Sequence, residues 1–353
     1  MGNSVRMPII GSVVLATDQG LGVLAKSFYD NGIVTRVLIE VRPSQTNHFN
    51  WYPGAKAYEP ENILAFIDGL DVLLIFEKLA DWTVAEIARE RGVRIALMPM
   101  YEITPEYLPV EPDHYLAPSN IDLDRYRDRP SVSMITVPVD VPWQLRKKAR
   151  LFIHNSGTRW SFFRNGTFEL LAALPTIRSA FKLIIRMQDP FLQTNYDRHA
   201  RKGDVELALK LLENAERDPR VEIVIGTESW EDLWLEGDVF VFPEQYNGLS
   251  LPLQEAYASG MLVMAANRYP INTWLPNEPL IPVSGYRWSA DFGLRVKHAI
   301  VRSEQIAQNI DKWYDSDLEA YSRLGRSWAR NNSWNRVRQT YLDILVHQSF
   351  TNS

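Results

Sequence analysis

FVFPEQYNGLSLPLQEAYASG, residues 240–260, is the stretch from which the rest of the chain is read. An apolar run, Val239-Phe240-Val241-Phe242, is stopped by Pro243, the pattern of a buried parallel strand that ends at a ligand-binding edge. The turn Gln245-Tyr246-Asn247-Gly248 follows. Ser250 is then placed to cap a helix that tolerates Pro252 in its first turn and stops at Gly260. Strand, turn and helix N-terminus in that order make an anion site, because unpaired backbone N–H groups and the positive end of the helix dipole point the same way. Glu255 lies four residues after Leu251, so its side chain leans back over the first helical turn, where a carboxylate can accept sugar hydroxyls beside a bound phosphate. In outline this is a nucleotide-sugar site. The plainer reading is an ordinary strand–turn–helix in which Glu255 only favours the dipole.

At 353 residues the chain has room for two domains of similar size. An apolar content of 46% and a charged content of 23% are those of a globular protein with a full core. The net charge of -5 offers no field to draw the chain onto nucleic acid. Two basic clusters, Arg125-Arg127-Arg129 and Arg146-Lys147-Lys148-Arg150, read first as solvated faces and second as contacts to an acidic acceptor or, at most, a peripheral membrane surface. The absence of cysteine excludes disulfides, zinc–thiolate sites and cysteine nucleophiles. No apolar run approaches the ~20 residues of a spanning helix, and the start MGNSVR lacks a signal-peptide core, so the expectation is a soluble, cytoplasmic protein.

Outward from the opening stretch, strands and helices alternate. Residues 12–17 read as a first buried strand, followed by Gly20-Leu21-Gly22 and a helix with Leu21, Leu24, Ala25 and Phe28 on one face. A glycine turn of this kind brings backbone N–H groups close to a phosphate or sugar; tight packing between strand and helix is its plainer explanation. Strands at 71–76 and 93–98 flank a helix that starts near Asp81, so the units are parallel βαβ. Tyr101 and Glu102 follow the carboxyl end of the 93–98 strand, where open α/β sheets bind ligands; the alternatives are an aromatic at the cleft rim and a loop charge. A last strand of this half is expected at 132–137, before the stiff connector 137–143. The second half restarts at 151–154, with a polar loop at 155–165 and a helix at 168–174. Strands at 181–187 and 221–225 and a charged helix at 204–217 come next, then a short helix at 228–235. Segments 186–188 and 225–229 end strands at one sheet edge and are candidates to hold a nucleotide base. His154 reads as a satisfied core or edge histidine. Asp122-Leu123-Asp124, in what reads as a turn-rich loop, and Asp315-Ser316-Asp317 match an Asp-x-Asp metal pattern that is common by chance; no metal is assigned.

The 240–260 stretch resembles the signature of the retaining glycosyltransferases of family 4, which have the GT-B fold. Gly248, Leu251, Pro252, Glu255, Ala256 and Gly260 fit that signature; Leu249 and Ser250 replace its aromatic and its glycine, and Asn247 stands where it has a first acid. The resemblance implies two Rossmann-like domains with parallel sheets facing across a cleft, at 1–141 (acceptor) and 142–333 (nucleotide sugar), with 334–353 as a helix returning to the first domain. It implies donor contacts from Gly20, Leu21, Gly22, Asn247, Gly248, Leu249, Ser250, Leu251 and Glu255. It also implies a diphosphate clamp carried here by Arg159 and Arg164, the family lysine being replaced by Asn165, and a sugar contact near Tyr101 and Glu102. The implied activity is transfer of a hexosyl or pentosyl group from a nucleoside-diphosphate sugar to a glycan or other hydroxyl-bearing acceptor. Retention is implied, with no metal and no cofactor beyond the substrate. A non-catalytic nucleotide-sugar or glycan-binding protein, or a nucleotide-sugar epimerase of the same fold, are the other readings.

Overall fold

The computed structural model describes residues 6–42, 46–191, 202–226, 232–291 and 294–347. The chain forms two compact units, one of Met1–Val137, Phe292–Leu294 and Trp334–Ser353, the other of Pro138–Asp291 and Arg295–Ser333. Each is a parallel-sheet α/β domain.

The first unit contains β1 (Ile10–Val14), α1 (Gly20–Asp30), β2 (Arg36–Ile39), β3 (Lys56–Ala57), α2 (Pro60–Ile67), β4 (Val72–Phe76), α3 (Thr83–Glu90), β5 (Arg94–Met98), β6 (His114–Ala117), α4 (Asn120–Tyr126) and β7 (Val132–Met134). The sheet order is β3-β2-β1-β4-β5-β6-β7, with parallel pairing throughout. Helices on both faces bury these strands, which is why β4 is a continuous apolar run, VLLIF, with every residue buried. The C-terminal helix α10 (Trp334–Leu342) belongs to this unit. Phe28 of α1 meets Phe76, Trp334 and Tyr341 edge-on, with ring centroids 5.1, 5.0 and 5.0 Å away. Trp334 Nε1 donates to Ser27 Oγ at 2.7 Å and the buried Tyr341 hydroxyl to Thr136 O at 3.1 Å, so the polar ends of both rings are satisfied.

One reading changes here. Asp122 lies in helix α4 and not in a turn-rich loop, because Ser119 caps that helix through the Asp122 N–H. Its carboxyl is fully buried and held well above the usual range, first by burial and further by the nearby charge of Glu102.

The second unit contains β8 (Leu151–Gly157), α5 (Thr167–Ala173), β9 (Lys182–Met187), α6 (Lys202–Glu216), β10 (Val221–Ile225), β11 (Val239–Phe242), α7 (Leu251–Ala258), β12 (Leu262–Ala265), β13 (Gly285–Asp291), β14 (Leu294–Ile300), α8 (Ser303–Trp313) and α9 (Glu319–Asn331). Its main sheet runs β10-β9-β8-β11-β12, again parallel. Two apolar clusters cover the two faces, one led by Phe152, Leu171, Ile185 and Ile310, the other by Ile153, Trp234, Phe240 and Leu253. Alternation of Phe152 and Ile153 between them is the period of a strand buried on both sides. β13 and β14 form a separate two-stranded sheet that sequence reading missed. Of the expected helix at 228–235, Asp232–Trp234 form a single turn and residues 228–231 lie outside the described residues. Among the described residues no helix is long and apolar enough to cross a membrane.

Candidate functional site

In the second sheet the chain runs from β8 outward to β9 and β10, then returns to β11 on the other side of β8. Strand order reverses between β8 and β11, and open α/β sheets take ligands just beyond the strand ends at such a point. The loop after β8 carries Arg159 and Arg164, and the turn after β11 carries residues 243–250. The fold joins these two segments. The Gln245 N–H donates to Arg164 O at 2.8 Å, and Gln245 Nε2 donates to Phe163 O, 82 residues away in sequence, at 3.0 Å. The Arg164 guanidinium lies 5.8 Å from the centre of the Tyr246 ring. Gly166, with φ of +78°, permits the approach: a Cβ there would sit 2.4 Å from Pro243 O.

The Arg159 side chain is 37% exposed, its guanidinium 3.5 Å from Asp189 Oδ2 and 5.1 Å from the centre of the Trp160 ring, while its backbone N–H donates to Asp189 Oδ1 at 2.6 Å. An ion pair this open to water is weak, so a phosphate can compete for the guanidinium at little cost. Asn165 is buried and donates to Ser156 O at 3.0 Å, tying the loop down onto β8.

The start of α7 differs from its sequence expectation. Ser250 is the residue before the helix, but it adopts a left-handed backbone (φ 48°, ψ 59°) and its side chain makes no cap. Its hydroxyl donates instead to the buried carboxylate of Glu244, a charge-assisted bond. Asn247 Oδ1 instead accepts the Ser250 N–H at 3.0 Å, closing an Asx-type turn. Helix α7 thus begins without a side-chain cap, the state in which an N-terminus takes up an anion. Gly248 and Leu249 are buried within this turn, Leu251 and Asn247 are half-buried, and Glu255 is buried on α7.

Gln245 links this turn to β13 and β14. Its Oε1 accepts from Arg287 at 2.9 Å and lies 3.3 Å from His298 Nδ1; its carbonyl accepts the Ala299 N–H at 2.8 Å. Its Nε2 also donates to Glu169 Oε1 at 3.2 Å. Burial pushes the Glu169 carboxyl up to about 7, with nearby Arg287 opposing that shift. Glu169 lines an open cavity of about 690 Å³ with Phe168, Arg302 and Gln305. Because the folded protein holds this proton more tightly than the unfolded chain, whose ordinary value is 4.5, stability from this group is full below about pH 4.5 and is lost as pH rises through 7. Glu169→Gln is therefore expected to flatten the loss, raising stability at pH 8 relative to the parent by about 1–3 kcal/mol while leaving pH 5 nearly unchanged. Thermal unfolding of both proteins at the two pH values checks this; parallel pH profiles would contradict it.

Other predicted residues are placed as follows. Gly20 opens α1 and is exposed, Leu21 is half-buried, and Gly22 is buried where a Cβ would stand 2.1 Å from Thr17 O. Close packing of α1 on the end of β1 accounts for Gly22. Tyr101 and Glu102 are both buried, 7% and 5% exposed, so Glu102 is not a solvated loop charge and Tyr101 is not a rim aromatic; the Arg125 guanidinium donates to Tyr101 O. His154 is a satisfied core residue: its ring nitrogens meet Val241 O at 2.8 Å and Thr167 Oγ1 at 2.7 Å, and burial pushes its pKa down to about 4. Arg186 is buried and its guanidinium goes to Leu233 O at 2.6 Å and Glu236 at 3.3 Å. Of the base-holding segment expected at 225–229, residues 227–229 lie outside the described residues. Sequence reading missed Glu244, Gln245 and Arg268. A carboxylate directly after a strand-ending proline, beside a predicted anion turn, was the available signal for the first.

No protein-family model matches the sequence, and no curated protein sequence matches it. Solved structures do match in fold. HepE of Anabaena, in complex with UDP and glucose, superimposes with a TM-score of 0.68 at 12% identity, over 96% of this chain and 99% of that one. A glycosyltransferase from Rickettsia africae gives 0.63 at 16% identity, over 97% and 100%. Sucrose-phosphate synthase from Thermosynechococcus elongatus gives 0.61 at 13% identity, over 95% and 97%. The chain has the GT-B fold that these glycosyltransferases share.

Proposed function

We propose that the chain is a glycosyltransferase that moves a hexosyl or pentosyl group from a nucleoside-diphosphate sugar to a hydroxyl-bearing acceptor. The observation that carries this reading is the meeting, at the β8–β11 switch point, of an arginine-bearing loop with the uncapped N-terminus of α7. The fold supports it, since HepE of Anabaena was solved with UDP and glucose on the same scaffold. On this reading the donor diphosphate lies against Arg159, Arg164 and the first turn of α7. As the bond to the sugar breaks, charge grows on the departing diphosphate, and two guanidiniums plus a helix dipole stabilise it without the protein having to reorganise. Glu255 accepts the ribose hydroxyls and Asn247 faces the sugar, where a neutral amide both donates and accepts. The resemblance to family 4 adds retention at the anomeric carbon and no requirement for a metal.

Incubation with a panel of nucleotide sugars separates this reading from the others. Slow donor hydrolysis supports the transferase, an altered sugar supports an epimerase, and binding without turnover supports a binding protein, the reading that the neutral Asn247 favours. Arg159→Ala and Arg164→Ala are each expected to weaken UDP binding by roughly 1.5–3 kcal/mol, about 10- to 150-fold. Unchanged affinity in both variants would leave the arginines as surface charges.

A further inference from the structure

Three side chains beneath the 243–250 turn form a unit that no motif describes. Glu244 is fully buried, and its Oε1 accepts from both Arg268 and the Ser250 hydroxyl, while its Oε2 has no hydrogen-bond partner among the described residues. The restraint on Ser250 therefore passes through a single oxygen. Arg268, 2% exposed, reaches further into the turn, donating to Asn247 O at 2.9 Å and to Glu244 O at 3.3 Å. Ser250 sits at φ 48°, a left-handed backbone that costs a residue with a Cβ about 1–2 kcal/mol. Something must hold it there, and among the described residues the Ser250 hydroxyl is bonded to Glu244.

We propose that Glu244 is a positioning residue, anchored by Arg268, that holds Ser250 left-handed and so presents the first N–H groups of α7 to the donor diphosphate. The proposal rests on the nucleotide-sugar reading above and assigns to Glu244 a task that the signature gives to a glycine at position 250. A glycine adopts this backbone unaided; a serine needs the tether. No contact between Glu244 and the ligand is involved.

Ser250→Ala keeps the Cβ and removes the tether, whereas Ser250→Gly removes both the tether and the need for it. Titration with UDP is expected to give a Kd about tenfold higher for Ser250→Ala than for the parent, with most of the loss recovered in Ser250→Gly. Amide hydrogen exchange across residues 248–251, read without ligand, is expected to speed up about tenfold in Ser250→Ala whether or not UDP binds. Equal exchange in parent and Ser250→Ala overturns the proposal, as does a Ser250→Gly that binds UDP as poorly as Ser250→Ala. A parent that shows the exchange difference but binds no UDP overturns the nucleotide-sugar reading and leaves the tether standing. Glu244→Asp, which keeps the charge for Arg268 but shortens the reach, is expected to match Ser250→Ala in exchange; parent-like exchange counts against Glu244.

Discussion

Arg268→Ala is expected to destabilise the protein by about 3–5 kcal/mol, the usual cost of stripping the partner from a buried carboxylate. Arg268 and Glu244 have side-chain exposures of 3% and 0%, so solvent cannot replace the lost charge. The same change also frees the carbonyls of Glu244 and Asn247, which anchor the turn before α7. Urea unfolding should show a lower midpoint with an unchanged slope. A shift below about 1 kcal/mol, the size expected of an exposed pair, would mean that the pair is hydrated in solution.

Gly166→Ala carries the second large effect. A left-handed φ of +78° costs an alanine about 1–2 kcal/mol. Its Cβ would stand 2.4 Å from Pro243 O and 2.7 Å from Pro243 Cγ, contacts that only backbone movement relieves. Overpacking of this kind adds about 1–3 kcal/mol. The movement needed is a separation of the arginine loop from the 243–250 turn, so UDP affinity should fall together with the melting temperature. Loss of stability with full UDP affinity would show that the two loops need not touch for binding.

The sheets were legible because parallel strands buried on both faces are written as unbroken apolar runs, as in residues 72–76 and 239–242. The β13–β14 pair was overlooked although Leu294–Ile300 alternates buried and exposed positions over most of its length, the half-buried signature. The site was legible where it depends on local order, as in the strand, turn and helix of residues 239–258. It was misread where a distant partner decides. Serine favours the N-cap in general, but at Ser250 a carboxylate six residues earlier and an arginine 18 residues later turn the hydroxyl inward. Tyr101 and Glu102 lie in a turn after β5, as composition suggests, and the packing around α4 shows that they are also buried. Gly20-Leu21-Gly22 was the weakest signal, since a glycine that packs and a glycine that admits a phosphate are spelled alike.

Under the proposed function, the switch point between β8 and β11 takes a nucleoside diphosphate, with Glu255 on the ribose. Isothermal titration of the parent and of Glu255→Ala with UDP and with UDP-glucose checks this. The parent is expected to bind both ligands, and Glu255→Ala to weaken both by a similar factor, about tenfold or more for the lost charged hydrogen bonds, because the ribose is common to the two. Parent-like UDP affinity in Glu255→Ala would contradict it.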